Sequence, residues 1–151
     1  MAKITVVLIE DSPVALKVLE RLIAGSSEVE IVGTAADGLA GLQLIEQTQP
    51  DVICTDLEMA GMGGFEFIEA VQQRFPRPIL VISATPEVLQ QTHSIAHLKA
   101  AGILDFFPKP AAITPDLPEL RSTLIRKIQM LARPKSQFHP ASPMSSVRIC
   151  T

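Results

Sequence analysis

Short uninterrupted apolar runs alternate along this chain with longer stretches in which apolar residues recur every three or four positions. That is the pattern of covered strands separated by amphipathic helices. The first run, Ile4 to Ile9, has no polar alternation, as befits a strand with both faces buried. Asp11 or Ser12 can cap the helix that follows; Pro13 suits its first turn, and Ala15, Val18, Leu19 and Leu22 form one stripe. This helix should stop near Gly25. Glu30 to Gly33 reads as a short second strand and Leu39 to Thr48 as a second helix, with Pro50 forcing a break before a third strand at Val52 to Thr55. A glycine-rich loop, Gly61 to Gly64, leads into a third helix through Phe65, Ile68 and Val71. Pro76 and Pro78 punctuate the approach to a fourth strand, Ile79 to Ile82, which Ser83 closes. Pro86 opens a fourth helix ending near Gly102, and Leu104 to Phe107 is the fifth strand. Leu117, Leu120, Leu124, Ile128 and Leu131 line a last helix. Periodicity ends after Arg133, where a stretch rich in proline and serine, 134–151, reads as a tail or linker. The expected organisation is one domain over 1–133 built of five βα units.

A chain of 151 residues holds one ordinary core. With 47% hydrophobic and 19% charged residues and a formal charge of −3, it falls among globular proteins and lacks the basic surface usual for nucleic-acid binding. The N-terminus has no signal-peptide succession, and no apolar run approaches the roughly 20 residues of a membrane helix, so the expectation is cytoplasmic with no membrane partner. Cys54 lies in an apolar strand and Cys150 in the tail, which argues against a disulfide and for a small buried hydrophobe at Cys54.

The chemistry gathers where strands end. Buried parallel strands bring their carboxyl ends to one sheet edge. Glu10 and Asp11 follow the first strand, Asp56 the third, Ser83 the fourth and Lys109 the fifth. Carboxylates of Glu10, Asp11, Asp56 and Glu58 meeting there would repel one another and call for a divalent cation; oxygen ligands alone favour Mg²⁺ over zinc. A carboxylate with a cation and a fixed lysine is suited to accepting a phosphoryl group.

Taken in order, the acidic pair Glu10 and Asp11, Asp56, Ser83 followed by Ala84, Phe106 and the dipeptide Lys109-Pro110 resemble the receiver domain of two-component response regulators. The stretches Asp11-Ser12, Val32-Gly33-Thr34-Ala35, Asp37-Gly38 and Asp56-Leu57-Glu58-Met59 are most similar to the receiver half of chemotaxis methylesterases. The resemblance implies a flavodoxin-like, doubly wound, five-stranded parallel sheet in the order 2-1-3-4-5, flanked by five helices. It implies Asp56 as phosphoacceptor and a Mg²⁺ site from Asp11, Asp56 and the backbone carbonyl of Glu58, with Glu10 acting through a metal-bound water. Lys109 would pair with Asp56 and then with the phosphoryl group. Ser83 and Phe106 would form the switch, Ser83 moving onto the phosphoryl group and Phe106 rotating into the space behind it. The implied partners are a histidine kinase and an effector domain or protein on the surface of the fourth helix, fifth strand and fifth helix. A stand-alone receiver relaying phosphate or binding a partner directly is the alternative. Ala60 and Gly63 depart from the family's usual proline and aspartate, and the interval from Ser83 to Lys109 is longer than usual.

Blander readings accompany these. Lys109 could be a solvated lysine before a turn, and either Phe106 or Phe107 could merely pack. His93 and His97 share a helix face without a third ligand, and Arg121, Arg126, Lys127 and Arg133 read as a solvated face. An FMN carrier would need a hydroxyl-rich loop where Glu10 and Asp11 stand. An aspartyl-phosphate phosphatase would place its nucleophile on the first strand. No nucleophile elbow or DNA-reading helix pair occurs, so no output enzyme is expected in this chain.

Overall fold

The computed structural model describes residues 3–57, 64–84, 93–110 and 117–132. Five strands, β1 (Ile4–Ile9), β2 (Val29–Ala35), β3 (Val52–Asp56), β4 (Ile79–Ser83) and β5 (Leu104–Pro108), form one sheet in the order β2-β1-β3-β4-β5. Every pairing is parallel. Five helices are described: α1 (Pro13–Ala24), α2 (Gly38–Thr48), α3 (Gly64–Arg74), α4 (His93–Ala100) and α5 (Leu117–Leu131).

The apolar runs lack polar alternation because both faces of the sheet are covered. Val6, Leu8, Cys54, Leu80, Ile82 and Phe107 point to one face, where Val18, Leu19 and Leu22 of α1 and Leu124 and Ile128 of α5 meet them. Val7, Ile9, Ile53, Ile79, Val81 and Phe106 point to the other, against Leu42 and Ile45 of α2, Phe67 and Val71 of α3, and Ile95 of α4. Phe106 and Phe107 thus both enter the core, one in each layer, as the two-residue period of a strand requires.

Local chemistry fixes the ends. Ser12, not Asp11, caps α1: its Oγ accepts the Ala15 N–H at 3.3 Å, and Pro13 takes the first helical position. Asp37 caps α2 in the same way, accepting the Ala40 N–H at 2.8 Å. Gln49 ends α2 in the left-handed conformation with φ 48°, and Pro50 follows. β2 runs longer than the pattern of apolar residues suggests, because pairing with β1 continues through Thr34 and Ala35. Val32 is the extra residue of a bulge, since Val6 pairs with Ile31 and Val7 with Gly33. A side chain at Gly33 would stand 2.5 Å from Leu44, so the glycine lets α2 lie close against β2. The start of the fourth helix expected at Pro86, the loop Gly61 to Gly63 with its Ala60 and Gly63 departures, and the tail from Arg133 lie outside the described residues.

Candidate functional site

Parallel pairing carries the ends of β1, β3, β4 and β5 to one edge. Asp56 is the last residue of β3 and Ser83 the last of β4, while Glu10 directly follows β1 and Lys109 directly follows β5. Two backbone bonds hold the flanking residues in line with the strands: the Glu10 N–H donates to the Ala35 carbonyl and the Lys109 N–H to the Ser83 carbonyl, each at 2.9 Å. The Thr55 hydroxyl, buried beside Asp56, donates to the Asp56 carbonyl at 2.9 Å.

The side chains converge as the spacing of the strand ends requires. Lys109 Nζ lies 2.8 Å from Asp56 Oδ2 and 3.3 Å from Glu10 Oε2. Asp56 is 1% exposed and Glu10 3% exposed, so two carboxylates are buried around one cation. Glu10 Oε2 also accepts the Ser12 N–H at 3.0 Å, which ties it to the start of α1. Asp11 is exposed at the rim, and carboxylate oxygens of Glu10, Asp11 and Asp56 lie within 4.8 Å of one another. Ser83 is buried nearby, and Phe106 packs in the layer of Val81 and Ile95.

The electrostatics follow from this geometry. Burial pushes the Glu10 carboxyl up; the Ser12 amide opposes this, the Asp56 charge reinforces it, and Lys109 offsets only part. Burial alone would lower Lys109, but the hydrogen bond and charge of Asp56, followed by those of Glu10, hold the ammonium above its usual value. Glu10 Oε1 is buried and has no hydrogen-bond partner among the described residues. An orphaned carboxylate oxygen in a pocket of three carboxylates and one lysine is what a hard divalent cation would satisfy, and the all-oxygen donor set fits Mg²⁺.

The structure thus gathers Glu10, Asp11, Asp56 and Lys109, with Ser83 at the neighbouring strand end. Glu58 lies outside the described residues. Two contacts went unread in the sequence. Lys127, assigned to a solvated face, sits 3.4 Å from Asp105 Oδ2, and Arg121, assigned likewise, donates from Nε to the Leu22 carbonyl at 3.0 Å. Neither residue had a local sequence signal, because each partner belongs to a different element. Arg126 and His97 are exposed, as expected.

Comparison with known proteins agrees with this geometry. The chain is 34% identical over 139 residues to a protein-glutamate methylesterase/protein-glutamine glutaminase of Pyrococcus horikoshii, an alignment covering 90% of this chain and 37% of that protein. It is 35% identical over 131 residues to the protein of the same name from Sulfurimonas denitrificans, covering 85% of this chain and 36% of the relative. The chain therefore spans under two fifths of the length of these relatives. Among solved structures, the response regulator domain of Thermotoga maritima CheB superposes with a TM-score of 0.74 at 25% identity, covering 88% of this chain and 98% of that one. The subfamily resemblance read from the stretches around Asp11, Gly33 and Asp56 points to the same relatives. Residues 6–120 match the model of the response regulator receiver domain, and because that span encloses the whole acidic pocket and the strand ends that build it, the chain belongs to this family.

Proposed function

We propose that Asp56 is the phosphoacceptor, and that the chain is the receiver part of a chemotaxis methylesterase-like regulator. The observation that carries this reading is the buried Asp56 carboxylate held 2.8 Å from Lys109 Nζ, with two further carboxylates alongside. In the transfer, an Asp56 oxygen attacks the phosphorus of a kinase phosphohistidine in line, the P–N bond breaks, and the imidazole nitrogen leaves with the electron pair. Lys109 is placed to neutralise charge on the phosphoryl oxygens, and its strand-end anchor through the Ser83 carbonyl keeps it at that post. Asp11, Asp56 and the Glu58 backbone carbonyl would hold Mg²⁺. When bound, the ion supplies further neutralisation of the transferring group. The direct contact of Glu10 with Lys109 supports a role in orienting the lysine as well as in facing a metal-bound water.

The buried Ser83 beside the site, and Phe106 in the layer of α4, support a switch that reaches α4, β5 and α5 as the output face, contacted by an effector domain. In the full-length protein that effector would be a methylesterase, and an encounter with a kinase would take place in the cytoplasm. Among the described residues no helix is long and apolar enough to cross a membrane. Incubation with acetyl phosphate and Mg²⁺ should add one phosphoryl group by intact mass, and Asp56→Asn should take up none. Labelling that survives Asp56→Asn would reject the assignment.

A further inference from the structure

Asp105 stands second in β5, on the edge strand of the sheet. Its Oδ1 accepts from Lys99 Nζ of α4 at 3.0 Å and from the Phe106 N–H at 2.8 Å, and its Oδ2 lies 3.4 Å from Lys127 Nζ of α5. The two lysines approach from opposite layers, since α4 packs on the Phe106 face and α5 on the Phe107 face. One carboxylate therefore joins both helix layers around the edge of the sheet and touches the backbone of the residue proposed as switch. Partial burial pushes the Asp105 carboxyl up. The hydrogen bonds from Lys99 and the Phe106 amide, with the charges of Lys127 and Lys99, outweigh it and hold the group below the usual aspartate value.

The anchoring of α4 makes this contact matter. Among the described side chains of α4 only Ile95 is buried, with Leu98 partly so, whereas α5 buries Leu124, Ile125, Ile128 and Leu131. A helix segment whose described side chains, 95–100, make so little apolar contact is more easily displaced than one anchored like α5. An exposed ion pair ordinarily contributes little to stability, but a charge shared by two helices makes the position of one depend on the other.

We infer that Asp105 is a positioning residue that couples α4 to α5 across β5, so that displacement of either helix is transmitted to the other and to the Phe106 backbone. Its bearing on signalling rests on the proposed role of Phe106 and this face, but the coupling itself is independent of phosphoryl chemistry. It can be tested by hydrogen exchange on the unmodified protein. Lys99→Gln, a change on α4, should raise exchange about twofold to threefold in 118–132 as well as in 93–100, with α2 unchanged as internal reference. Lys127→Gln should do the converse. An effect of Lys99→Gln confined to 93–100, or one equal in α2, overturns the coupling. Asp105→Asn keeps an acceptor for the Phe106 amide while removing the charge. With beryllofluoride and Mg²⁺ it should respond in 93–100 but only weakly in 118–132, whereas the wild type responds in both. A variant response in 118–132 equal to that of the wild type also overturns it. Failure of Asp56 as acceptor would show separately, as a wild type indifferent to beryllofluoride while the exchange effects of the lysine variants persist.

Discussion

Replacing Lys109 by methionine keeps most of the aliphatic stem and removes the cation from between two buried carboxylates. Nζ stands 2.8 Å from Asp56 and 3.3 Å from Glu10, and each contact carries a gross attraction of roughly 5 kcal/mol at an effective dielectric of 20. Most of that is offset by the cost of taking the charges out of water. Breaking a buried pair by deleting one partner typically costs about 3–5 kcal/mol, because the remaining charge is left uncompensated. The Lys109 side chain is 23% exposed, which puts the expected loss lower, near 2 kcal/mol. For a urea slope of about 1.5 kcal/mol per molar, the midpoint should fall by roughly 1.3 M. Far-UV circular dichroism is the suitable probe, since the chain has no tryptophan or tyrosine. The pH dependence gives the sharper check. Glu10 is already pushed up by burial, and losing Lys109 raises it further. A carboxyl whose folded value lies above its unfolded one costs stability above that unfolded value, and the cost grows until pH passes the folded value. The deficit of Lys109→Met relative to wild type should therefore narrow as pH falls from 8 toward 5. Millimolar Mg²⁺ should narrow it too. A midpoint shift below about 0.4 M, or one indifferent to both pH and Mg²⁺, would refute the reasoning.

Arg121→Ala should cost about 1–2 kcal/mol by leaving the Leu22 carbonyl at the end of α1 without its charged donor. Gly25→Ala should reproduce part of the loss, because a methyl there would run into the Arg121 guanidinium at Nε, and the double variant should be less destabilised than the sum in urea melts. Cys54, its thiol pushed up to about 12 by complete burial, should resist iodoacetamide at pH 8 in the native protein and react only on unfolding. Asp105, held below its usual value, contributes stability above its unfolded pKa and loses it as pH falls through the folded one. Asp105→Asn should accordingly flatten the acid limb of the stability profile by on the order of 0.5 kcal/mol, measured as urea midpoints below pH 5.

Features that depend on period and order are written in the sequence. Ile4 to Ile9, with Thr5 its single polar residue, and Ile79 to Ile82 declare strands buried on both faces, because neither alternates apolar with polar positions. Parallel strands covered by helices leave only one edge at which Asp56, Ser83 and Lys109 can all emerge, so the principal members of the candidate site are legible in the sequence. Tertiary structure decided what depends on the placement of whole elements. Arg121 meets the Leu22 carbonyl 99 positions away, and Lys127 meets Asp105 22 positions away; a helical wheel shows only that both leave the apolar stripe. The same holds for Glu10. Its spacing from Asp11 marks it as a member of the acidic group, but its contact with Lys109 depends on how β1 and β5 are set across β3 and β4 in the sheet. The choice of Ser12 over Asp11 as cap likewise depends on local geometry that either residue type could satisfy. Periodicity encodes which face of an element is buried, whereas a polar contact between elements depends on their relative position, a property of the packed whole.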